Sequence, residues 1–384
     1  MRTAKPMRWV DNDAELDGVM DELKGASTYF IDTEFESTKQ RTRLSVVQIS
    51  RGETAYLFDA LKLTKLRELG AVLVRNDVEW VMHAGLQDVE LLVECFRCSR
   101  PPRLFDTQIA WGLLCPEAAV SLGYLQFKVL GVRSMKTHQA DDWIRRPLPP
   151  SQLEYAAADV EHLPGLHEAL NRALEAKGRR DVVDQVCHEL LWPKLEPMPN
   201  LDLGSFRHAW QLEPRNQAAL QHLISWYNTL PDWERRRAPN PKTLLAITSR
   251  LPTSSRDLMR IKGVPPHLSG SVGDHLVRGM LRAADAAASA DFVELAPLPY
   301  TTFDEIRLDA WFATLRAEVC SEVGMAPELA FPPRVVRRLR DAMLAEPAAP
   351  SALGKGLEGW RHASLTAAVE RFVSDHPPPA ALGT

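Results

Sequence analysis

The stretch Tyr29-Phe-Ile-Asp-Thr-Glu34 decides the fold of the first half of the chain, because an apolar run leads directly into two acids. Its aromatic and β-branched residues predict a β-strand over 29–31, with Asp32 directly after it. In an extended segment the side chains of residues i and i+2 point to the same face, so Asp32 and Glu34 project together. A lone Asp-x-Glu triplet is common by chance, and this pair acquires meaning only from its surroundings.

Similar apolar runs recur over about the first 165 residues and predict further strands. The segments between them carry apolar residues at three- and four-residue spacing, which is the period of an amphipathic helix. This alternation predicts an α/β domain with helices packed on a sheet. The further predicted strands are 46–49, 55–58 and 80–82, and the predicted helices include 61–74 and 86–94.

Length and composition narrow the class of protein. A chain of 384 residues is too long for one ordinary core and fits two or three domains. Its apolar fraction of 45% and charged fraction of 25% are typical of a globular protein. No apolar run approaches the roughly 18 residues that span a bilayer, and the N-terminus lacks the apolar segment of a secretory signal. These features predict a cytoplasmic location.

The five cysteines are scattered, which argues against a disulfide framework. Cys95 and Cys98 form a C-x-x-C pair, but no second pair of ligands at zinc-site spacing lies nearby in the sequence. The pair also follows a helical-looking stretch, whereas a redox motif follows a strand. We interpret both residues as ordinary, partly buried thiols.

Beyond about residue 165 the strand signals disappear, residues 166–190 look helical, and a proline-punctuated stretch at 191–200 predicts a linker. Two helical segments follow, separated by a run of small apolar residues. The predicted organisation is an α/β domain at 1–192, a linker at 193–212, a helical domain at 213–285, a linker at 286–302, a second helical domain at 303–375 and a disordered tail at 376–384.

The net charge of −4 conceals an uneven distribution. Residues 205–282 carry 12 Lys and Arg against 5 Asp and Glu, a local balance of +7 in an otherwise acidic chain. A basic segment of this kind suits contact with a phosphate backbone. It is equally consistent with a solvated helical surface that has no partner.

A second acid, Asp88, lies in His83-Ala-Gly-Leu-Gln-Asp88, directly after the predicted strand at 80–82. Gly85 permits a tight turn there, and Asp88 falls in the first turn of the next predicted helix. An acid at that position also complements the helix dipole without any further role.

The third acidic motif is Tyr155-Ala-Ala-Ala-Asp159. Upstream, Ser151-Gln-Leu-Glu154 has the pattern of a capping box and predicts a helix that begins at Ser151. Tyr155 and Asp159 then share one helical face as residues i and i+4, and the three alanines leave that face slim enough to approach a substrate. The alternative is a helix with one buried tyrosine and one exposed aspartate.

Four carboxylates that converge on one spot repel one another unless cations are present. Hard oxygen ligands suit Mg²⁺ or Mn²⁺. Two such ions about 3.5–4 Å apart can activate a water and stabilise the leaving oxygen of a phosphodiester. The sequence therefore supplies the residue types of a two-metal phosphodiesterase, with Tyr155 placed to orient the attacking water.

Together the three motifs resemble the DEDDy group of 3′–5′ exonucleases, which share a ribonuclease H-like fold, and this resemblance implies a mixed sheet with flanking helices. Within that group, the flanking segments are most similar to ribonuclease D: Asp32-Thr-Glu-Phe35, Leu104-Phe-Asp-Thr-Gln108, and Trp143-Ile-Arg-Arg-Pro-Leu148 followed by Gln152–Val160. The two helical segments resemble HRDC domains, through residues 241–263 in the first and Gly359-Trp-Arg361 more loosely in the second. The segment before Asp88 departs from the pattern, since relatives often carry a polar or acidic residue within Gly85-Leu-Gln87.

This resemblance implies a role for each acid. Asp32, Glu34 and Asp159 would hold one metal ion, Asp32 would bridge to a second, Asp88 would contribute directly or through water, and Tyr155 would position the nucleophile. The implied substrate is the 3′ end of structured RNA, typified by tRNA precursors, with 5′-mononucleotides released and no obligate protein partner. The predicted phosphate contacts are Lys136, Arg146, Arg235, Arg236, Arg237 and Lys262.

Other polar residues near the motifs are interpreted differently. We predict that Asp106 caps a helix, that Asp141 and Asp142 are solvated, and that His83 is a partly buried histidine with hydrogen-bond partners rather than a metal ligand.

Two alternative functions remain open at the level of sequence. A DNA 3′–5′ exonuclease would use the same carboxylates, since only a contact to the ribose 2′-hydroxyl distinguishes the two substrates. A nucleic-acid-binding module with an inert exonuclease core is the second alternative. The absence of any polymerase or helicase segment in the sequence favours RNA.

Overall fold

A computed structural model describes residues 6–38, 42–133, 141–192, 197–287, 292–297, 299–345 and 352–379. The chain forms two compact units. One combines Met1–Lys194 with Phe303–Thr384, and the other is Leu195–Thr302. No helix among the described residues is long and apolar enough to cross a bilayer.

The first unit is built on a six-stranded sheet in the order β1-β4-β3-β2-β5-β6. Strand β3 pairs antiparallel with β2 and β4, and the other three pairings are parallel, so the sheet is mixed. This confirms the predicted mixed sheet with flanking helices. The strands are β1 Met7–Val10, β2 Thr28–Ser37, β3 Thr42–Ser50, β4 Ala55–Asp59, β5 Glu79–Met82 and β6 Arg103–Asp106.

Among the described residues, eight helices of the first unit precede the second unit in sequence. The predicted helix at 166–190 is two helices, because the chain turns at Gly178 with a positive φ of 63°. The predicted helix at 61–74 is reduced to a 3-10 turn, Leu66–Leu69, and a single α-turn. The helices are α1 Asp13–Leu23, α2 Gly70–Leu73, α3 Leu86–Phe96, α4 Thr107–Gly112, α5 Leu122–Leu130, α6 Pro150–Glu161, α7 Leu163–Ala176 and α8 Arg180–Leu191.

Two local predictions near the acids are wrong. The strand that carries Asp32 continues through Glu34 to Ser37, with a bulge between Glu34 and Phe35, so both acids lie within β2. Helix α6 begins at Pro150 with Pro149 as its N-cap and has no side-chain cap, so the capping box predicted at Ser151 does not form. Proline at the first helical position is already fixed in a helical φ and needs no such cap.

The second unit is entirely helical in its described residues. Residues 203–212, which the sequence analysis assigns to a linker, instead form two 3-10 turns, and Phe206 and Ala209 are buried in the core of this unit. The prolines at 191–200 favoured a long linker, so the helical unit was predicted to begin after these two residues. The helices are α9 Pro214–Thr229, α10 Asp232–Arg235, α11 Pro241–Arg250, α12 Ser255–Met259 and α13 Gly270–Asp285.

The C-terminal helices belong to the first unit and pack on its α/β core. The Gly112 carbonyl accepts a 2.7 Å hydrogen bond from Ala326 N, and a Cβ at Gly112 would come within 2.7 Å of Leu329. Of the predicted disordered tail, residues 376–379 are described, and His376 stacks on Phe372 at 4.8 Å; residues 380–384 lie outside the described ranges. The helices are α14 Phe303–Val323, α15 Pro327–Ala330, α16 Pro333–Ala345, α17 Ala352–Lys355 and α18 Trp360–Asp375.

Candidate active site

A cleft of about 1100 Å³ lies over the acid-bearing part of the sheet. Its walls come from β2, from the turn and first residues of α3, from α5 and from α6. All five residues that the sequence analysis singles out as catalytic line it: Asp32, Glu34, Asp88, Tyr155 and Asp159. Elements that are far apart in sequence thus bring these side chains into one cavity.

Three of the acids form a compact cluster. A carboxylate oxygen from each of Asp32, Glu34 and Asp159 lies within 4.8 Å of the other two. Asp32 and Glu34 share one face of β2 because they are two residues apart in a strand. Helix α6 packs across β2, β3 and β4 on that face and contributes Asp159. An oxygen cluster of this size matches the ligand type that Mg²⁺ and Mn²⁺ prefer.

Asp88 is buried beside this cluster, in the first turn of α3. Its Oδ1 atom accepts a 2.5 Å hydrogen bond from the Thr33 hydroxyl, and Thr33 lies between the two acids of β2. The helix dipole also favours a carboxylate at this position. Asp88 is therefore held close to the three-acid cluster without belonging to it.

The electrostatics of the cleft disfavour four ionised carboxylates. Burial, followed by repulsion from Asp159, Asp88 and Glu34, raises the pKa of Asp32 well above its usual value. Burial and repulsion from Asp159 and Asp88 raise the pKa of Glu34 from 4.5 to about 8. Burial raises the pKa of Asp88 from 3.8 to about 6, although the Thr33 hydrogen bond opposes this. Bound cations would reverse these shifts, since they favour the charged form.

Tyr155 stands one helical turn before Asp159 on α6, and its hydroxyl hydrogen-bonds to the Asp159 carboxylate. Burial, followed by the charges of Asp159, Glu34 and Asp32, raises the pKa of the Tyr155 hydroxyl. The phenol therefore keeps its proton at neutral pH. A protonated phenol suits a group that orients a water molecule by hydrogen bonding.

The turn between β5 and α3 sets the position of Asp88. The left-handed residue there is Ala84, with φ 55°, and not Gly85. A Cβ on Gly85 would come within 2.0 Å of Met82 Sδ, so glycine is required for space rather than for its φ. Asp106 Oδ2 accepts a 2.8 Å hydrogen bond from Gly85 N, and Asp106 Oδ1 caps α4, which confirms its predicted capping role.

The neighbouring polar residues behave as predicted. His83 is partly buried, with Nδ1 2.9 Å from the Thr107 hydroxyl and Nε2 3.0 Å from the Val120 carbonyl. Asp141 and Asp142 are exposed at the edge of the cleft. Asp142 accepts hydrogen bonds from the backbone of Ile144 and Arg145. None of these three belongs to the cluster of possible metal ligands found among the described residues.

Arg146, one of the predicted RNA contacts, has its hydrogen-bond donors engaged within the domain. Its guanidinium forms two hydrogen bonds of 2.8 and 2.9 Å to the fully buried carboxylate of Asp59. It also donates to the carbonyls of Trp143 and Ser45. The donors are thus engaged inside the domain, where they tie the segment before α6 to the sheet.

Arg235, another predicted RNA contact, has its donors engaged in a similar way within the second unit. Its guanidinium donates to the carbonyls of Leu230 and Met198 at 2.7 and 3.0 Å, and to Asn200 Oδ1 at 2.9 Å. The other predicted contacts of this unit, Arg236, Arg237 and Lys262, have exposed side chains. Lys136 lies outside the described residues.

Sequence reasoning missed several polar residues that line or adjoin the cleft. Gln126 of α5 is only 2% exposed, lines the cleft, and has no hydrogen-bond partner for its Oε1 atom among the described residues. Gln48 of β3 stands directly opposite Asp32 in the sheet and is fully buried, and neither atom of its amide has a partner in the described part of the chain. An uncharged glutamine within an apolar run carries no sequence signal for such a position.

Comparison with known proteins defines the class. A family profile described as a 3′–5′ exonuclease matches residues 7–175, which contain the sheet, the cleft and all five candidate residues. The fold of the whole chain is similar to that of Escherichia coli RNase D, described as an exoribonuclease involved in structured RNA processing. That likeness has a TM-score of 0.67 and covers 97% of this chain and 99% of the other. Because the two sequences are only 23% identical, the likeness concerns the fold alone.

The sequence relatives narrow the class to a family. Ribonuclease D of Granulibacter bethesdensis is 30% identical over 356 residues, which cover 86% of this chain and 83% of that relative. Ribonuclease D of Pseudomonas paraeruginosa is 28% identical over 94% of this chain and 95% of its own length. The chain belongs to the ribonuclease D family, and it is a hydrolytic enzyme of the 3′–5′ exoribonuclease class.

Proposed function

We propose that this enzyme trims the 3′ ends of structured RNA, such as tRNA precursors, in the cytoplasm and releases 5′-mononucleotides. The observation that carries the proposal is the three-carboxylate cluster of Asp32, Glu34 and Asp159, with Asp88 and Tyr155 in the same cleft. The family relatives over most of the chain support RNA as the substrate.

The donor set fits divalent cations. The three carboxylates of the cluster are hard oxygen ligands within 4.8 Å of one another, and the repulsion that raises the pKa values of Asp32 and Glu34 is one that cations would relieve. We propose that Asp32, Glu34 and Asp159 hold one Mg²⁺ or Mn²⁺ and that Asp32 also reaches a second. Asp88 contributes to the second position directly or through water.

In the proposed reaction, a water oxygen bonds to the terminal phosphorus while the bond from that phosphorus to the 3′-oxygen of the preceding nucleotide breaks. A pair of bound divalent ions supplies the activated water and the charge that stabilises the leaving oxygen. The Tyr155 hydroxyl oxygen accepts a hydrogen bond from the attacking water and fixes the direction of attack. The products are a 5′-mononucleotide and an RNA shortened by one residue with a free 3′-hydroxyl.

Further RNA contacts are proposed for the helical second unit. We propose that the exposed Arg236, Arg237 and Lys262 contact phosphates of the RNA body, because residues 205–282 of this unit carry 12 Lys and Arg against 5 Asp and Glu. We also propose that residues 213–285 and 303–375 are helical domains of the HRDC type, and that the second of them packs on the exonuclease domain.

Asp32→Asn tests the function most directly. With Mn²⁺ we expect the wild type to shorten a 5′-labelled single-stranded RNA from its 3′ end, and the variant to lose about 10³-fold or more in rate, since metal ligation supplies several kcal/mol. Thermal unfolding gives a second measurement. Mn²⁺ should raise the melting temperature of the wild type only, and the metal-free variant should melt above the metal-free wild type because a buried charge is gone.

Matched RNA and DNA oligonucleotides should be compared in the same assay. The proposal requires faster shortening of the RNA, and equal or faster shortening of the DNA would instead support the DNA exonuclease. A wild type that leaves RNA intact and shows no Mn²⁺-dependent stabilisation would support the inert binding module.

A further inference from the structure

Helix α5 (Leu122–Leu130) carries two features that the catalytic acids do not explain. Tyr124 and Phe127 are large aromatic side chains that are 36% and 48% exposed. Gln126, between them in sequence, is almost fully buried and lines the cleft, and its Oε1 atom has no partner among the described residues. One helix therefore presents an aromatic strip to solvent and contributes to the cleft wall a buried amide with an unpaired acceptor.

The exposed strip is also cationic. Lys128 Nζ lies 5.7 Å from the centre of the Tyr124 ring, and the Arg133 guanidinium lies 5.6 Å from the centre of the Phe127 ring. Both cations are exposed, and Arg133 also lines the cleft. Aromatic rings alternating with Lys and Arg are the pattern of single-strand nucleic-acid binding, in which bases stack on the rings and the cations meet phosphates.

Helical geometry connects the strip to the cleft. Leu122, Gly123 and Gln126 line the cleft, and Tyr124 and Phe127 each follow one of these residues by one position, about 100° around the helix. The strip is therefore the outer continuation of the cleft wall. A strand whose last nucleotide lies at the acids would pass along it.

The buried side-chain Oε1 atom of Gln126 indicates where the last nucleotide is held. A buried amide oxygen without a partner destabilises the folded protein, and native proteins seldom leave one unpaired. A sugar hydroxyl or base amino group of a bound nucleotide can donate to it. The described part of the protein provides no hydrogen-bond donor for this Oε1 atom.

We propose that α5 with Arg133 is the substrate-binding helix. Tyr124 and Phe127 stack bases upstream of the 3′ end, Lys128 and Arg133 neutralise the adjoining phosphates, and Gln126 accepts a hydrogen bond from the 3′-terminal nucleotide. This proposal rests on the proposed function, and it adds the residues that bind the single-stranded end and the part of the strand that each contacts.

The test compares variants on RNAs of two lengths, a dinucleotide and a 20-nucleotide single strand, in Mn²⁺. We expect Tyr124→Ala/Phe127→Ala to lose about tenfold or more per ring in kcat/KM on the 20-mer, and to lose far less on the dinucleotide, which cannot reach the strip. Gln126→Met should lose on both lengths, because its contact is to the last nucleotide. Phe303→Ala, a control at an aromatic that is 86% exposed on α14, should match the wild type.

Two measurements separate binding from folding. Thermal unfolding of the free protein should show Gln126→Met at or above the wild type, because an unpaired buried oxygen is removed. In an Asp32→Asn background, Lys128→Gln and Arg133→Gln should each lower the slope of log affinity against log salt for the 20-mer by about 0.7.

The outcomes distinguish this inference from the proposed function. A wild type that shortens neither RNA overturns the proposed function. A wild type that shortens both, with α5 variants indistinguishable from Phe303→Ala or equally impaired on both lengths, overturns the role of the aromatic strip alone. A melting temperature of Gln126→Met well below that of the wild type would show a structural role for that residue and overturn its assignment as a nucleotide contact.

Discussion

Glu79 is a buried acid whose function is structural, at the start of β5 and away from the cleft. Its carboxylate lies 3.0 Å from His167 Nε2, 2.9 Å from Arg180 and 3.2 Å from Arg103. Burial alone would raise the pKa of Glu79, but the hydrogen bonds from His167 and Arg180 outweigh it and lower the pKa from 4.5 to about 2. Such a shift corresponds to about 3 kcal/mol of stability at neutral pH.

The sign of this contribution predicts a pH dependence. Since the pKa is lower in the folded state, the stabilisation is complete above about pH 4.5 and is lost as the pH falls toward 2. Glu79→Gln should therefore lower the free energy of unfolding in urea by about 3 kcal/mol at pH 7 and by progressively less below pH 4.5. Glu168→Gln, in an exposed pair with Arg172, is the control and should change little. A pH-independent difference between Glu79→Gln and the wild type would contradict this account.

Individual residues were predictable from the sequence where a pattern constrained them. Asp32, Glu34 and Asp159 could be singled out because spacing within a strand or helix fixes a shared face. The partners of Arg146 and Arg235 could not be predicted, because the local sequence around a cation does not reveal whether it binds an RNA phosphate or a group within the protein. Arg146, for example, binds the buried Asp59 carboxylate. The buried Gln126 could be found only from its surroundings in three dimensions.

At the scale of elements, the turn from β5 to α3 links packing to catalysis. Gly85→Ala would place a Cβ within 2.0 Å of the buried Met82 Sδ and disturb the hydrogen bond from Gly85 N to Asp106. We expect a loss of about 1–3 kcal/mol in unfolding free energy, as for other overpacked sites. The rate of RNA shortening should also fall, since Asp88 lies three residues farther along the chain.

A matched glycine controls for the extra methyl group. Gly18 lies in α1 and is exposed, and a methyl group added there would meet no other atom within 4 Å, so Gly18→Ala should raise the unfolding free energy by about 0.5–1 kcal/mol through helix propensity. If Gly85→Ala were as stable and as active as Gly18→Ala, the turn would not limit the position of Asp88.

The elements with long or periodic signals were predicted, and the short ones were not. Strands β2 to β5 and helix α3 carry apolar runs or helical spacing long enough to recognise. The edge strands β1 and β6 each contain only two consecutive apolar residues, whereas β5, which is equally short, contains three. The continuation of β2 through Glu34 was missed because its polar residues face the cleft and imitate the end of a strand.

At the scale of the whole molecule, the sequence indicates how many helical segments there are but not which one packs on the catalytic core. Residues 303–379 share the hydrophobic core of the α/β unit, although a second compact unit separates them from it in sequence. Arg361 was noted only as part of a loose HRDC resemblance. In the structure it is 3% exposed and pairs with Glu189 of α8, 172 positions earlier, a contact that no local pattern encodes.

This pair predicts how strongly the C-terminal helices stabilise the catalytic unit. Arg361 contacts the Glu189 carboxylate at 2.6 Å and donates to the carbonyls of Ala330 and Leu329 at 2.9 and 2.6 Å. Arg361→Met would leave those buried acceptors unpaired and should lower the unfolding free energy by about 3 kcal/mol. This value is at the lower end of the range for a broken buried ion pair, because Arg334 also contacts Glu189 and would still neutralise it. Arg371→Met, which breaks an exposed pair with Glu322, should cost less than about 1 kcal/mol. Equal losses in urea unfolding would mean that the C-terminal helices are not anchored through Arg361.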